Sequence, residues 1–505
     1  MLSPRRRIVI TAGVMTGTFL AALEATIVGT AMPTVVAALG GLAHFSWVFS
    51  VYLLTSTVSV PLWGKLSDLY GRRFLYQLAI AVFLVGSALS GLSQSMPQLI
   101  AARALQGLGA GGLIPLGMTI IGDIYSIQER ARMQGWFSGV WGLSSIIGPL
   151  VGGFVTDQIS WRWVFFINIP IGVVAAVIMG IALVEQKRAT RPSIDYLGAV
   201  VLTTGVTLLM MALVDGGSIA ELLRLRNLIL FVVVMALLAW FLRIERRAAE
   251  PVIPLELFRN RLVALAMIIG FLAGVAMFGA ISFVPLFAQG SRGVSATAAG
   301  SFLTPLMLAW VSASVVGGRL LIRVGWRPLV VTGLLLLVAG FAGLTAATTE
   351  TASFVLVIEL TLIGCGLGLT MLTLLIAVQH AVPRHQLGIA TSLNQFFRSI
   401  GGAMGVALLG ALLTAGMSDS IHEDPSALID RESQMAMEPA ELEAMQESLA
   451  RSIRTVFLAS GVVCAIALLF AFFLPAGAPV SERDDGEKFV MAEMTVIDPE
   501  HEPQG

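Results

Sequence analysis

Gly64-Lys65-Leu66-Ser67-Asp68-Leu69-Tyr70-Gly71-Arg72-Arg73 sets two glycines, one carboxylate and two arginines across a sharp turn between apolar stretches. Gly64 lets another helix approach closely, and Gly71 permits the turn because it carries no Cβ. Asp68 can accept a hydrogen bond from the end of another span, where Arg130 and Arg132 lie near Asp123. Two readings fit these charges. One is a network of Asp68, Arg72 and Asp123 that latches one conformation of the chain. The other is a loop that is basic only because it faces the cytoplasm.

Outward from this loop, apolar stretches long enough to cross a bilayer recur along the chain. A span needs about 20 mostly apolar residues. Breaks at Gly, Pro and charged residues delimit about fourteen, near 8–33, 46–64, 75–93, 98–122, 135–156, 163–184, 196–214, 227–244, 262–288, 297–317, 328–347, 353–378, 391–416 and 455–474. The 505 residues are 56% apolar and 12% charged, well below the charged share of soluble domains, so lipid is the solvent for most of the chain. Of the 31 Lys and Arg, 21 fall in segments assigned to the cytoplasm, 7 outside and 3 within spans. That asymmetry fixes the orientation with both termini inside, because short basic loops stay cytoplasmic.

The opening loop recurs weakly as Gly318-Arg319-Leu320-Leu321-Ile322-Arg323-Val324-Gly325-Trp326-Arg327. The copies follow spans two and ten. A difference of eight is explained by two six-span halves with a two-span insertion between them, and repeats of this kind build many secondary transporters. The expected architecture is therefore all-α and integral to the membrane. It comprises an N-terminal six-helix half (1–184), two inserted transmembrane helices with linkers (185–260), and a C-terminal six-helix half (261–475). An acidic outer loop occupies 417–453, where Pro439 to Arg451 reads as a short amphipathic helix, and the polar tail (476–505) reads as disordered. Arg5-Arg6-Arg7 before an apolar run imitates a signal peptide, but the run is long, contains Glu24 and leads into further spans, as an uncleaved first helix would.

Cys365 and Cys464 lie in apolar stretches without CxxC spacing, and the five histidines form no ligand cluster. No GxxxxGK[ST], HExxH or GxSxG arrangement is placed for chemistry. A membrane-embedded enzyme is thus disfavoured, and neither metal, cofactor nor nucleic acid is expected.

Four stretches carry a family resemblance. Gly64–Arg73 resembles the loop motif between spans two and three of the major facilitator superfamily. Arg103-Ala104-Leu105-Gln106-Gly107-Leu108-Gly109 resembles that family's fourth-span motif. Gly148-Pro149-Leu150-Val151-Gly152-Gly153 resembles its fifth-span antiporter motif. Trp161-Arg162-Trp163-Val164-Phe165-Phe166-Ile167-Asn168-Ile169-Pro170-Ile171-Gly172 is similar to a stretch of the fourteen-span drug:proton antiporter branch. The resemblance covers roughly residues 8–475. It implies proton-coupled export of small lipophilic compounds, often cationic, across the cytoplasmic (inner or plasma) membrane, with the proton gradient as energy source and no cofactor. The same fold exporting lipids or an endogenous metabolite is the alternative, a receptor or enzyme a remote one. Whether the acidic outer loop binds a partner is open.

Glu24 leads the candidate residues. It lies about 7 residues, or roughly 10 Å, from the outer end of span one. A charge at that depth costs about 2.5–3.5 kcal/mol on insertion scales, so it should face a cavity or a partner. A proton or a bound cation can neutralise it, but not comfortably both, and that competition is the basis of antiport. The family usually has Asp in place of the Glu of Leu23-Glu24-Ala25-Thr26-Ile27-Val28, and Gly29 stands where it has Asn. Arg103, at similar depth in span four, is the natural partner, either as a relay that tunes the carboxylate or as a snorkelling boundary residue. The Gly148-Pro149 element is expected to break a helix and form a tight seam between the halves, with ordinary helix packing as the alternative. Arg398, about two turns from the cytoplasmic end of span thirteen, is a candidate conformational lock whose acceptor the sequence does not identify. Glu359, near the outer end of span twelve, is a weaker candidate and too distant to pair with it.

Overall fold

The structure is a computed structural model that describes residues 3–39, 45–183, 195–214, 224–248, 251–294, 301–417 and 439–477. These form fourteen long helices: α1 (Pro4–Leu39), α2 (Phe45–Tyr70), α3 (Arg72–Leu92), α4 (Met96–Ile124), α5 (Ile127–Gln158), α6 (Trp163–Ala182, with a turn at Ile167), α7 (Tyr196–Val214), α8 (Leu225–Glu245), α9 (Arg261–Leu286), α10 (Leu303–Val324), α11 (Trp326–Ala346), α12 (Ser353–His380), α13 (Leu387–Met417) and α14 (Pro439–Ala471). Twelve are long and apolar enough to cross a membrane. The other two are α5 and α7, and in α7 Leu197–Leu209 is a shorter apolar helix among the described residues.

Local chemistry sets several boundaries. Ser126 and Glu129 form a reciprocal capping box at the start of α5, with Ser126 N donating to Glu129 Oε2 at 3.0 Å. Asn260 caps α9 by accepting from the Leu262 amide at 3.0 Å. Pro285 near the end of α9 is followed by a π turn over Phe287–Ser291. The turn between α2 and α3 is Gly71 at φ 96, ψ 156, and that between α10 and α11 is Gly325 at φ 80, ψ 177. Both lie in a region that is essentially glycine-only. They occupy the same position in the two copies of the loop.

Helix pairing repeats with an offset of eight. Helix α1 packs on α5 and α6 as α9 packs on α13 and α14; α4 sits between α2 and α3 as α12 sits between α10 and α11. The cross pairs, α2 on α13 and α5 on α10, exchange under the same offset. One core, including Ile10, Val14, Tyr76, Phe83, Leu113 and Met179, is built wholly from residues before 184. Helices α7 and α8 pair with each other, and α7 lies against both α2 and α13, placing Val201 and Val206 in one core with Leu54, Val58 and Val263.

Three expectations are corrected. Helix α5 runs unbroken through Gly148 and Pro149. The segment from Pro439 to Arg451 is not a separate helix but the first part of α14, because its buried stripe (Met445, Leu449, Ile453) continues into Val456 and Phe457 at helical spacing. The third concerns the partners of Asp68 and is given below. The 418–438 part of the acidic loop and the tail from 478 lie outside the described residues.

Candidate functional site: a buried ion pair and a latch between helices

Glu24 and Arg103 meet. Glu24 on α1 is completely buried, Arg103 on α4 is 2% exposed, and Arg103 Nη1 donates to Glu24 Oε1. The other carboxylate oxygen accepts from Asn168 Nδ2 of α6 at 2.5 Å. Asn168 also donates to Ser87 Oγ of α3 at 3.0 Å, and Ser87 donates in turn to the Phe165 carbonyl at 2.8 Å. The guanidinium has further support: Nη1 reaches Gln106 Oε1 at 2.7 Å, Nε reaches the Val48 carbonyl at 3.3 Å, and its carbon lies 4.2 Å from the Tyr52 ring centroid. Five helices thus converge on one neutral pair, shut away from bulk water and lipid. Unpaired, either charge would be costly at this depth.

Gly148 belongs to this region rather than to a seam between halves. A Cβ there would collide with Thr26 of α1, and Thr26 Oγ1 donates to the Ser144 carbonyl of α5 at 3.1 Å. The glycine therefore seats α5 against α1 two residues from Glu24. The close approach was foreseeable, but its partner helix was not.

At the Lys- and Arg-rich end, Asp68 does not pair with Arg130. It accepts from the backbone amides of Gly388 and Ile389, at 3.1 and 2.7 Å, and so caps the start of α13. Anions are favoured there by unsatisfied amides and the helix dipole. Arg72 bridges Asp68 at 2.5 Å and Asp123 at 3.0 Å, and donates to Ser67 Oγ at 2.7 Å. The chain of contacts Asp123–Arg72–Asp68–α13 ties the end of α4 to α13. Gly64 and Gly388 make it possible. A Cβ on Gly64 would lie 2.9 Å from the Gly388 carbonyl, and one on Gly388 would lie 2.7 Å from Asp68 Oδ1. Arg130 instead donates to the carbonyls of Tyr125 and Gly122 and to Gln379 Oε1 of α12, the last at 3.3 Å. The Arg132 side chain lies outside the described residues.

Arg398 and Glu359 join neither cluster. Arg398 on α13 donates to Gln395 Oε1 of its own helix and to Met371 Sδ of α12 at 3.9 Å. Neither contact crosses to α1–α6, so the expected lock has no partner there among the described residues. Glu359 is buried against Gly343 of α11, and its Oε2 has no hydrogen-bond partner among them.

Sequence reasoning found Glu24, Arg103, Asp68, Arg72 and Asp123 but assigned no role to Asn168, Gln106, Ser87 or Tyr52. Asn168 and Gln106 carried a signal: each is an amide within an apolar span.

The chain matches the Major Facilitator Superfamily model over residues 14–406. It is 40% identical over 410 residues to the multidrug transporter protein MdtP of Bacillus subtilis, covering 81% of this chain and 76% of that protein. It is 34% identical over 480 residues to multidrug resistance protein 3 of the same organism, covering 92% and 94%. Its fold matches the proton:xylose symporter XylE with a TM-score of 0.58 at 13% identity, over 95% of this chain and 98% of that one. A glycine-hinged loop, its weaker copy eight helices on and a matched family model together identify the chain as a multi-pass membrane transporter, not an enzyme, that belongs to the major facilitator superfamily.

Proposed function

We propose that this protein is a proton-coupled antiporter that exports small lipophilic compounds by alternating access. In this reading α1–α6 and α9–α14 are two six-helix halves, and α7 and α8 are a two-helix insertion. Helices α5 and α7 then count as spans, for fourteen in all, with both termini on the cytoplasmic side of the inner or plasma membrane. The eightfold offset in helix pairing and the excess of Lys and Arg in the inside segments support this layout.

The observation that carries the proposal is the enclosed Glu24–Arg103 pair with Asn168 on its second oxygen. One cation and one amide occupy the two carboxylate oxygens of Glu24. A proton reaching it removes the charge that retains Arg103. The arginine is then left to Gln106, the Val48 carbonyl and the Tyr52 ring, which already hold it. Loss of the pair loosens α1 from α4 and is the differential interaction through which proton binding shifts the conformational equilibrium. The Asp68 latch holds the cytoplasmic ends of the two halves together until that shift occurs. Cations fit among the cargo because they compete with the proton for Glu24, and the names of the two bacterial relatives support a range of drugs.

The test is flux in inverted vesicles under an imposed pH gradient. Glu24→Gln inserts normally yet loses gradient-driven flux and cargo-driven proton release. Wild-type proton release from that variant would remove Glu24 from the mechanism. Arg103→Ala weakens coupling more than expression; simple loss of folded protein would assign Arg103 a structural role.

A further inference from the structure

We propose that Arg398 is a binding point for the carboxylate of an amphipathic cargo, so that lipophilic acids and zwitterions are exported as well as cations. The inference rests on the transporter reading above and extends it to a second class of charge.

Placement is the first observation. Arg398 lies eleven residues into α13, about 16 Å along the helix. One face of α13 is turned toward α1–α6. On it Gly388 meets Asp68, Ser392 meets Gly64, and Thr391 accepts from Gln379, which itself receives Arg130. Arg398 is two turns outward from Thr391 on this strip. Its neighbour Met371 lies one turn outward from Leu375, which lines a cavity with Arg130, Phe137 and Gln379 between the halves. The guanidinium lies against α12, two turns outward of the Thr391–Gln379–Arg130 contacts that join α13 and α12 to the opposite half. It is only partly buried there.

Charge is the second. A guanidinium has five N–H donors. Here they meet one amide oxygen and one thioether sulfur, and no carboxylate among the described residues. Glu359, on the same helix as Met371, is twelve residues further out, about 18 Å. In α1–α6 the buried arginine is neutralised by Glu24, whereas this one keeps its full positive charge within the span. An uncompensated arginine at such depth is costly and marks a pathway group. A carboxylate matches its planar fork bidentately. The Met371 thioether beside the guanidinium suits the apolar body of such a ligand.

The experiment compares 11-(dansylamino)undecanoic acid with its methyl ester, in binding to purified full-length protein and in flux in inverted vesicles. Wild type should bind the acid at least tenfold more tightly than the ester. Arg398→Gln should erase that preference by weakening acid binding about tenfold while ester binding and ester flux hold. Arg398→Lys should keep part of it. Equal binding of acid and ester by wild type would overturn the proposal without any variant. Equal loss of both ligands in Arg398→Gln would also overturn it and leave a packing or gating role. If wild type moves neither ligand under a pH gradient yet still prefers the acid in binding, the transport reading fails and the site stands.

Discussion

The two copies of the glycine-hinged loop share a backbone and differ in what they hold. Gly71 and Gly325 adopt nearly the same glycine-only conformation, each seven residues after a glycine, Gly64 or Gly318. In the first copy Asp68 and Arg72 reach out and grip the start of α13. In the second the corresponding positions are Ile322 and Trp326. Trp326 turns to its own half: its backbone N–H donates to the Gly477 carbonyl at 3.0 Å and its Nε1 to the Pro475 carbonyl at 2.8 Å, while the ring lies 5.8 Å from that of His380. One copy fastens α2 to α13, and the other fastens the chain as it leaves α14. A duplicated turn thus keeps its geometry while its side chains diverge, and among the described residues only the first copy grips α13.

The largest break in this comparison should come from Asp68→Ala set against Ile322→Ala. Two charge-assisted bonds to backbone amides are worth about 3 kcal/mol together, enough to shift a two-state equilibrium by about a hundredfold. Asp68→Ala should therefore populate a state open at the Lys- and Arg-rich end and cut flux by about tenfold or more. Ile322→Ala should leave both unchanged. Spin labels at Tyr70 and Arg323 read the opening as a longer, broader distance distribution. Equal effects from the two substitutions would mean that the first copy has no special role.

A smaller effect tests what the copies share. Gly71→Ala and Gly325→Ala should each introduce about 1–3 kcal/mol of backbone strain. Both should lower the melting temperature of the purified protein. Only Gly71→Ala should also reduce flux per folded molecule, since only that turn positions the latch. The smallest effect is expected from Trp326→Phe, which keeps a ring beside His380 but loses the bond to the Pro475 carbonyl, about 0.5–1.5 kcal/mol. Limited proteolysis should then cleave faster near residue 477 while transport is unaltered.

Twelve membrane-length helices were legible because apolar length is a one-dimensional quantity. The Glu24–Arg103 pair was legible for a related reason: equal depth on antiparallel neighbours puts two rare charges at one level. What depth does not encode is rotation about each helix axis. Asn168, Ser87 and Tyr52 could therefore not be assigned to the pair, and Gly148 was placed at the wrong interface although its need for a close neighbour was read correctly. The donors to Asp68 were missed differently. Its acceptor role was clear, but its donors are backbone amides of Gly388 and Ile389, which no side-chain pattern advertises. The division of α14 into a surface helix and a span failed because charge separates those segments while the buried stripe joins them.

The unbroken α14 has a mechanical consequence. Its 33 residues extend about 50 Å, against roughly 30 Å of hydrocarbon, so around 20 Å of rigid rod stands clear of the bilayer. The protruding portion is braced by Leu449 against Gly290 of the π turn and by Ser452 against Gly416 of α13. Any tilt of the last span is carried without a joint to Glu443 and Glu447 at the exposed tip. The rod acts as a pointer whose swing, followed by a dye attached near Glu443, would report motion of the helices packed on α14.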